Sequence, residues 1–248
     1  MSRKTVNLAL AALLLLTVSG AQAGTLSVVG HSRWVHAGKV FDGDTFRTTA
    51  GEKVRLLGIN TPEVAHDKEP GQPFGTEAKR RLEQLIAGKM IRLQLDRDNK
   101  DDYGRTLAQL YLRDGSWINE QLVQEGLALA YTFAPNFQWA NRLLIAEAEA
   151  RMARRGIWNA EPFRVLEAGS VTARHIGQFR LVRGEIKADG PWRFQVGKLT
   201  VTIPRSARKW FHASQLPQHG QSVVVRGRIR TSTKGGLFLA LHSPYDLE

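Results

Sequence analysis

Four short clusters in the first half of the chain combine residue types that hydrolytic chemistry needs. They are Asp42-Gly43-Asp44-Thr45, the lone Arg55, Asn60-Thr61-Pro62-Glu63 and Asp101-Asp102-Tyr103-Gly104-Arg105. Singly, each has an ordinary structural explanation. Asp-Gly-Asp is a common hairpin turn, a strand arginine is usually solvated, and Thr-Pro ends a strand because proline cannot continue a ladder. As a set they are chemically coherent. The carboxylate of Asp44, the amide of Asn60 and the backbone carbonyl of Thr61 are hard oxygen donors suited to Ca²⁺. Arg55 and Arg105 can grip a phosphate through planar forks and neutralise charge that builds on its oxygens. Glu63, three residues past a candidate ligand, can orient or deprotonate an attacking water. A metal, two guanidiniums and one carboxylate form a toolkit for hydrolysing a phosphodiester.

These clusters fall at the ends and turns of short elements. Alternating apolar patterns mark strands at 38–41, 45–49, 53–59, 90–96 and 106–112, with hairpin signals at Asp42-Gly43-Asp44 and Ala50-Gly51. Helical spacing marks 75–87, with Thr76 as its expected cap, then 117–125 and 138–155, each stopped by a glycine. Five strands interrupted and followed by helices suggest a small closed β-barrel with helical packing.

Residues 39–158 resemble the staphylococcal nuclease (thermonuclease) family. The motifs that carry the resemblance are Val40-Phe41-Asp42-Gly43-Asp44-Thr45, Arg55-Leu56-Leu57-Gly58-Ile59-Asn60-Thr61-Pro62-Glu63, Tyr103-Gly104-Arg105-Thr106-Leu107-Ala108 and Gly156-Ile157-Trp158. Their order and spacing agree over nearly the whole segment. The resemblance implies an OB-type five-stranded barrel with three helices. It implies that Asp44 is a direct ligand of one Ca²⁺ ion, that Asp42 stands in the outer shell, and that residue 60 and the Thr61 carbonyl complete the protein ligands. By the same resemblance Glu63 is the general base, Arg55 and Arg105 bind the scissile phosphate, and Tyr103 and Tyr131 line the nucleotide site. The implied reaction is hydrolysis of DNA or RNA, with unpaired strands preferred. Asn60 departs from the family pattern, which has aspartate there. It keeps an oxygen donor but removes one negative charge, so Ca²⁺ is expected to bind more weakly. Two readings therefore stand side by side: a calcium-dependent nuclease, or a non-catalytic nucleic-acid-binding protein whose metal site Asn60 has weakened.

The remaining sequence frames this segment. Arg3 and Lys4, the run 8–18 and Ala21-Gln22-Ala23 have the form of an export signal cleaved after residue 23. The expected location is the periplasm or the medium, with no membrane attachment after cleavage. The 248 residues include no cysteine, which rules out disulfides and thiolate chemistry, and the seven histidines lack the paired spacing of a zinc site. Lysine and arginine outnumber acids 35 to 23, a net charge of +12 that points to polyanionic partners. That charge is uneven. Residues 24–160 hold 19 Lys/Arg against 17 Asp/Glu, whereas 161–248 hold 14 against 6. We read 24–160 as a nuclease-like domain and 161–248 as a basic second domain, the whole acting as a monomer.

The second domain has five strand patterns, at 179–187, 192–196, 199–203, 222–230 and 236–241, with a helical stretch at 206–213 between the third and fourth. This suggests a second small OB-like β-barrel, so the fold class is mainly β with α throughout. Gly184 and Gly227 sit in matching strand segments, where a bend or bulge is expected. Arg183, Lys187, Arg226, Arg228 and Arg230 should form a basic surface. Trp192, Phe194, Trp210 and Phe211 interleave with cations, as a stacking platform for single strands requires, although core packing explains aromatics equally well. The loop 64–74, which follows Glu63 and carries His66, Asp67, Lys68 and Glu69, is placed to flank a substrate.

Overall fold

The computed structural model describes residues 31–65 and 70–248. The export signal expected at 1–23 and residues 66–69 of the loop after Glu63 lie outside the described residues.

The first unit is built from β1 (Ser32–Val40), β2 (Thr45–Thr48), β3 (Lys53–Leu56), β4 (Ile59–Asn60), β5 (Met90–Gln94), β6 (Thr106–Tyr111) and β7 (Leu129–Ala130). Five of these close a barrel in the order β1-β2-β3-β6-β5, with β3 and β6 its single parallel pair. Alternation along the strands sends Phe46, Val54, Leu56, Ile91, Leu93 and Leu110 inward, where all are essentially inaccessible to solvent. The expected strand 53–59 is broken after Leu56, and its last part pairs as β4 with β7 instead.

Three helices pack on this barrel: α1 (Gly75–Ile86), α2 (Ile118–Gln124) and α3 (Ala140–Met152). In α1, Ala78, Leu82, Leu85 and Ile86 recur at helical spacing and are buried. Thr76 does not cap this helix. The cap position is Phe74, in the left-handed region at φ 69° and without a side-chain bond. At Gly75 a Cβ would stand 2.3 Å from the carbonyl oxygen of Glu63, so only glycine lets the helix start pass so close to that residue.

The second unit contains β8 (Leu166–Glu167), β9 (Phe179–Gly190), β10 (Arg193–Val196), β11 (Leu199–Thr202), β12 (Ser222–Arg228), β13 (Arg230–Thr231) and β14 (Leu237–Ala240). Its sheet runs β12-β9-β10-β11-β14-β13, with β8 on the flank of β9. Counting β9, β10, β11, β12 and β14 as strands one to five gives the path of the first barrel, and again the third and fifth strands are parallel. The last seam differs. Among the described residues β12 and β14 form no ladder but pack closely, and a Cβ at Gly227 would lie 2.9 Å from the Leu239 side chain. Close approach, rather than a bulge, is thus what glycine permits there. The expected helix at 206–213 is two 3₁₀ turns, Arg208–Trp210 and Ala213–Gln215.

Each unit has its own apolar core, and a third cluster joins them: Leu129, Ala150, Ile157 and Trp158 meet Leu181 of β9. Beside this cluster lies a buried ion pair. Arg226, expected on a basic surface, is only 2% exposed and donates through Nη2 to Glu147 of α3 at 2.8 Å. Glu147 also accepts from the Ala130 N–H at 2.7 Å, while Arg226 donates to the Ala130 carbonyl at 3.1 Å and pairs with Glu248. Thr132 and Ser243 add a hydroxyl contact of 3.1 Å across the same junction.

Candidate active site

The turn after β1 sets the first groups. Asp42 accepts the Asp44 N–H at 3.0 Å, a local side-chain turn typical of aspartate, and this directs Asp44 inward. Asp44 is then surrounded by donors. One oxygen accepts from the Thr45 hydroxyl at 3.0 Å, and the other accepts from the Thr61 N–H at 2.9 Å and its hydroxyl at 3.1 Å. Arg55, projecting from β3, pairs with Asp44 and donates to the Asn60 side-chain oxygen at 2.8 Å. Asn60 in turn donates to the Thr61 carbonyl at 3.3 Å.

These contacts divide the two aspartates. Burial, reinforced by the neighbouring Asp44 charge, pushes the Asp42 carboxyl up to about 6. Burial also opposes ionisation of Asp44, but the Arg55 guanidinium and the Thr61 N–H outweigh it and hold that carboxyl below its ordinary value. Arg55 is buried as well, and the Asp44 charge more than offsets the cost, raising its affinity for the proton.

Glu63 lies at the exit of this loop with its side chain exposed. Its backbone is fixed on both sides by Gln72, whose side-chain oxygen accepts the Glu63 N–H at 3.1 Å and whose N–H donates to the Glu63 carbonyl at 2.8 Å. Arg105 is positioned by Asp101, which accepts from Nε at 2.6 Å and from the Arg105 N–H at 2.9 Å. The guanidinium stands 5.5 Å from the centre of the Tyr103 ring, and Tyr103 is 85% exposed. Tyr131 is 39% exposed and meets Phe179 of the second barrel edge-on at 5.5 Å.

Asp42, Asp44, Arg55, Asn60, Glu63 and Arg105 all line one cleft of about 1140 Å³, together with Tyr103 and Tyr131. Of the residues expected from sequence, only Thr61 stands behind the wall, 2% exposed and bonded to Asp44. Phe133 and Phe179 also line the cleft without belonging to any of the four clusters, and Gln72, which holds the Glu63 backbone, has no periodicity or motif to mark it. The platform expected in the second domain separates into two groups. Phe194 and Phe211 are buried core, Trp192 and Trp210 both pack against that core, and of these four only Trp210 also lines the cleft, beside Lys209.

Two carboxylates, one amide oxygen and a backbone carbonyl are hard donors, and the Asp42 carboxyl, raised by burial and then by the Asp44 charge, has a cost of ionisation that a cation would relieve. The donor chemistry therefore fits a hard divalent ion, with Arg55 supplying positive charge beside Asp44. Among the described residues no three His, Asp or Glu side chains stand together as a metal cluster, so the hard donors here are two carboxylates supplemented by an amide and a backbone oxygen. No described helix is long and apolar enough to cross a membrane.

Comparison with known proteins bears on the same segment. The family described as "Staphylococcal nuclease homologue" matches residues 53–160. The chain is 35% identical over 124 residues to the thermonuclease of Staphylococcus hyicus, covering 49% of this chain and 73% of that protein. It is 37% identical over 123 residues to the thermonuclease of Staphylococcus intermedius, covering 48% and 73%. Against endonuclease YncB of Bacillus subtilis (strain 168) it is 35% identical over 126 residues, covering 49% and 59%.

Proposed function

The chain belongs to the staphylococcal nuclease family and is a phosphodiester hydrolase acting on nucleic acid, and from that premise we propose that it is an exported, calcium-dependent nuclease. Residues 1–23 direct export, 24–160 form the nuclease domain, and the protein works as a monomer on unpaired DNA or RNA. Asp44, Asn60 and the Thr61 carbonyl, with Asp42 behind them, would hold Ca²⁺, which would supply positive charge to offset that of the scissile phosphate.

The chain's own residues carry the proton and the phosphate. Glu63, exposed in the cleft and held by its backbone to Gln72, removes a proton from water. The water oxygen bonds to phosphorus as the opposite phosphorus–oxygen bond breaks, and the departing oxygen takes up a proton from solvent. Arg55 and Arg105 rest on Asp44 and Asp101, and each turns to the non-bridging oxygens as negative charge builds there. The observation that carries the reading is the convergence of Asp44, Arg55, Glu63 and Arg105 on one cleft.

Hydrolysis of heat-denatured DNA, with Ca²⁺ and with chelator, tests it. Metal-dependent cleavage is expected, falling roughly 10²- to 10⁴-fold in Glu63→Gln. Asn60→Asp restores a charge and is expected to reach half-maximal rate at lower Ca²⁺. Full activity in Glu63→Gln would remove that carboxylate from the chemistry, and full activity in chelator would remove the metal.

A further inference from the structure

The cleft has two walls of opposite electrical character. On the catalytic side the lining residues include six carboxylates, those of Asp42, Asp44, Glu63, Asp98, Asp101 and Asp102. Only Arg55 and Arg105 oppose them there, each already paired with one of the six. A polyanion approaching this wall by itself meets a net negative surface. Across the cleft the second barrel presents Lys209, Arg228 and Arg230, all exposed. Its one lining carboxylate, Asp246, is turned to the backbone, accepting the N–H groups of His242 at 2.8 Å and Ser243 at 2.9 Å.

Aromatic surface accompanies these cations. Trp210 is partly exposed, meets Phe137 of the first unit edge-on at 5.7 Å, and has the Lys209 ammonium 4.9 Å from its ring. Phe179 and Tyr131 bridge the two walls in the same way. Exposed cations alternating with rings are what a single strand requires, because phosphates take charge and unpaired bases offer flat faces. A duplex hides its base faces inside the stack, so the rings have nothing to receive from it.

We propose that the second barrel is the substrate-holding wall of the active site. Lys209, Arg228 and Arg230 bind phosphates flanking the scissile one on an unpaired nucleic-acid strand, and Trp210 stacks one of its bases. The proposal rests on the nuclease reading of the first barrel. The walls are held in fixed relation by the Arg226–Glu147 pair, which grips both polar groups of Ala130, the neighbour of Tyr131. The strand is therefore received by a preformed gap rather than by loose tethering, and a substrate too short to span the gap forfeits the contacts of the second wall.

The test uses the full chain with three sets of substitutions. One removes Lys209, Arg228 and Arg230 together as alanines. A second removes Arg183, Arg193 and Lys234, which are exposed and outside the cleft, and so loses the same charge. The third is Trp210→Ala, with thermal unfolding measured to verify that it folds. Binding of a labelled single-stranded 12-nucleotide DNA is measured in chelator across a salt series. The kcat/KM values for that strand and for a dinucleotide are then measured with Ca²⁺. The cleft set should bind at least about tenfold more weakly, with the log–log salt slope reduced by about 2, near 0.7 for each lost phosphate contact. Its preference for the 12-mer over the dinucleotide should shrink. Trp210→Ala should weaken binding about tenfold with the salt slope retained. Equal losses in the two charge sets would show attraction by net charge alone, and no loss in either would show that the strand never touches the second wall. Both results overturn the proposal. Failure of the wild-type protein to cleave either substrate would instead sink the nuclease reading, whereas the binding arm, run in chelator, tests the second wall independently of cleavage.

Discussion

The two barrels follow one strand path, yet they present opposite kinds of surface to the space between them. In the first barrel, chemistry collects where strands end: the turn after β1 carries Asp42 and Asp44, the middle of β3 carries Arg55, and the entry to β6 carries Arg105. In the second, the facing strand ends and 3₁₀ turn carry arginine, lysine and tryptophan with a single, backbone-bonded carboxylate. The shared path fixes where side chains can converge, and residue type at those places decides what they do. Function is set by the site rather than by the fold. The difference also explains the uneven charge of the chain. Under the proposed function the first wall is acid-rich because it holds a cation, and a polyanionic substrate then needs an oppositely charged surface opposite it.

The largest effect should come from the contact that makes the two barrels one body. Arg226→Ala takes from the fully buried Glu147 its hydrogen-bonded guanidinium, leaving Arg151 at 3.8 Å, and should cost about 3–5 kcal/mol in chemical denaturation. Both barrels are expected to unfold in a single transition. Two separated transitions would instead make the barrels independent and break the comparison at its root. Next, Arg105→Ala should lower kcat/KM roughly 10²- to 10³-fold while shifting Tm little, because its ion pair with Asp101 is partly solvent-exposed. An equal loss of stability would make Arg105 a structural residue. Smaller again, Gly227→Ala forces a methyl against Leu239 in the seam of the second barrel and should cost about 1–3 kcal/mol. A neutral result would mean that this seam is looser than the laddered closure of the first barrel.

The smallest effect concerns pH. Burial pushes the Asp246 carboxyl up to about 7, well above its unfolded value, so the folded state holds a proton that the unfolded state gives up. Its stabilising contribution is complete below about pH 4 and is lost as pH rises toward 7. Asp246→Asn should flatten the decline of Tm over that window relative to wild type. Parallel curves would show that Asp246 ionises freely and adds its negative charge to the second wall.

Much of the first barrel could be read before folding, because its signals are local. Asp42 to Thr45 announce a hairpin, Ala78, Leu82 and Ile86 announce a helical face, and the motif residues lie within a few positions of one another. The second barrel's strands were also legible, including the interruption between its third and fourth strands. What covers each face was not. Alternation along β12 places Arg226 and Arg228 on one side and Val225 on the other, but it does not reveal that one arginine meets solvent and the other a helix 79 positions earlier. Glu147 was equally hidden, since a glutamate between alanines in a helix reads as solvated. Thr76 has the right chemistry for a cap, yet the close pass of Glu63 over Gly75 moves the helix start to Phe74, a residue with no capping side chain. Trp210 and Phe211 are adjacent and alike in sequence, and only the packing of the 3₁₀ turn assigns one to the cleft and the other to the core.

The apolar cluster that joins the barrels sets a limit on modularity. Cutting the chain between them would bare Leu129, Ile157 and Trp158 to water and take from Glu147 its Arg226 partner, leaving only the Ala130 N–H and the more distant Arg151. A catalytic barrel released in this way, by a protease or by an engineer, would be adhesive and short-lived. Transplanting it onto another carrier would therefore mean redesigning that scar first, however alike the two barrels are in path.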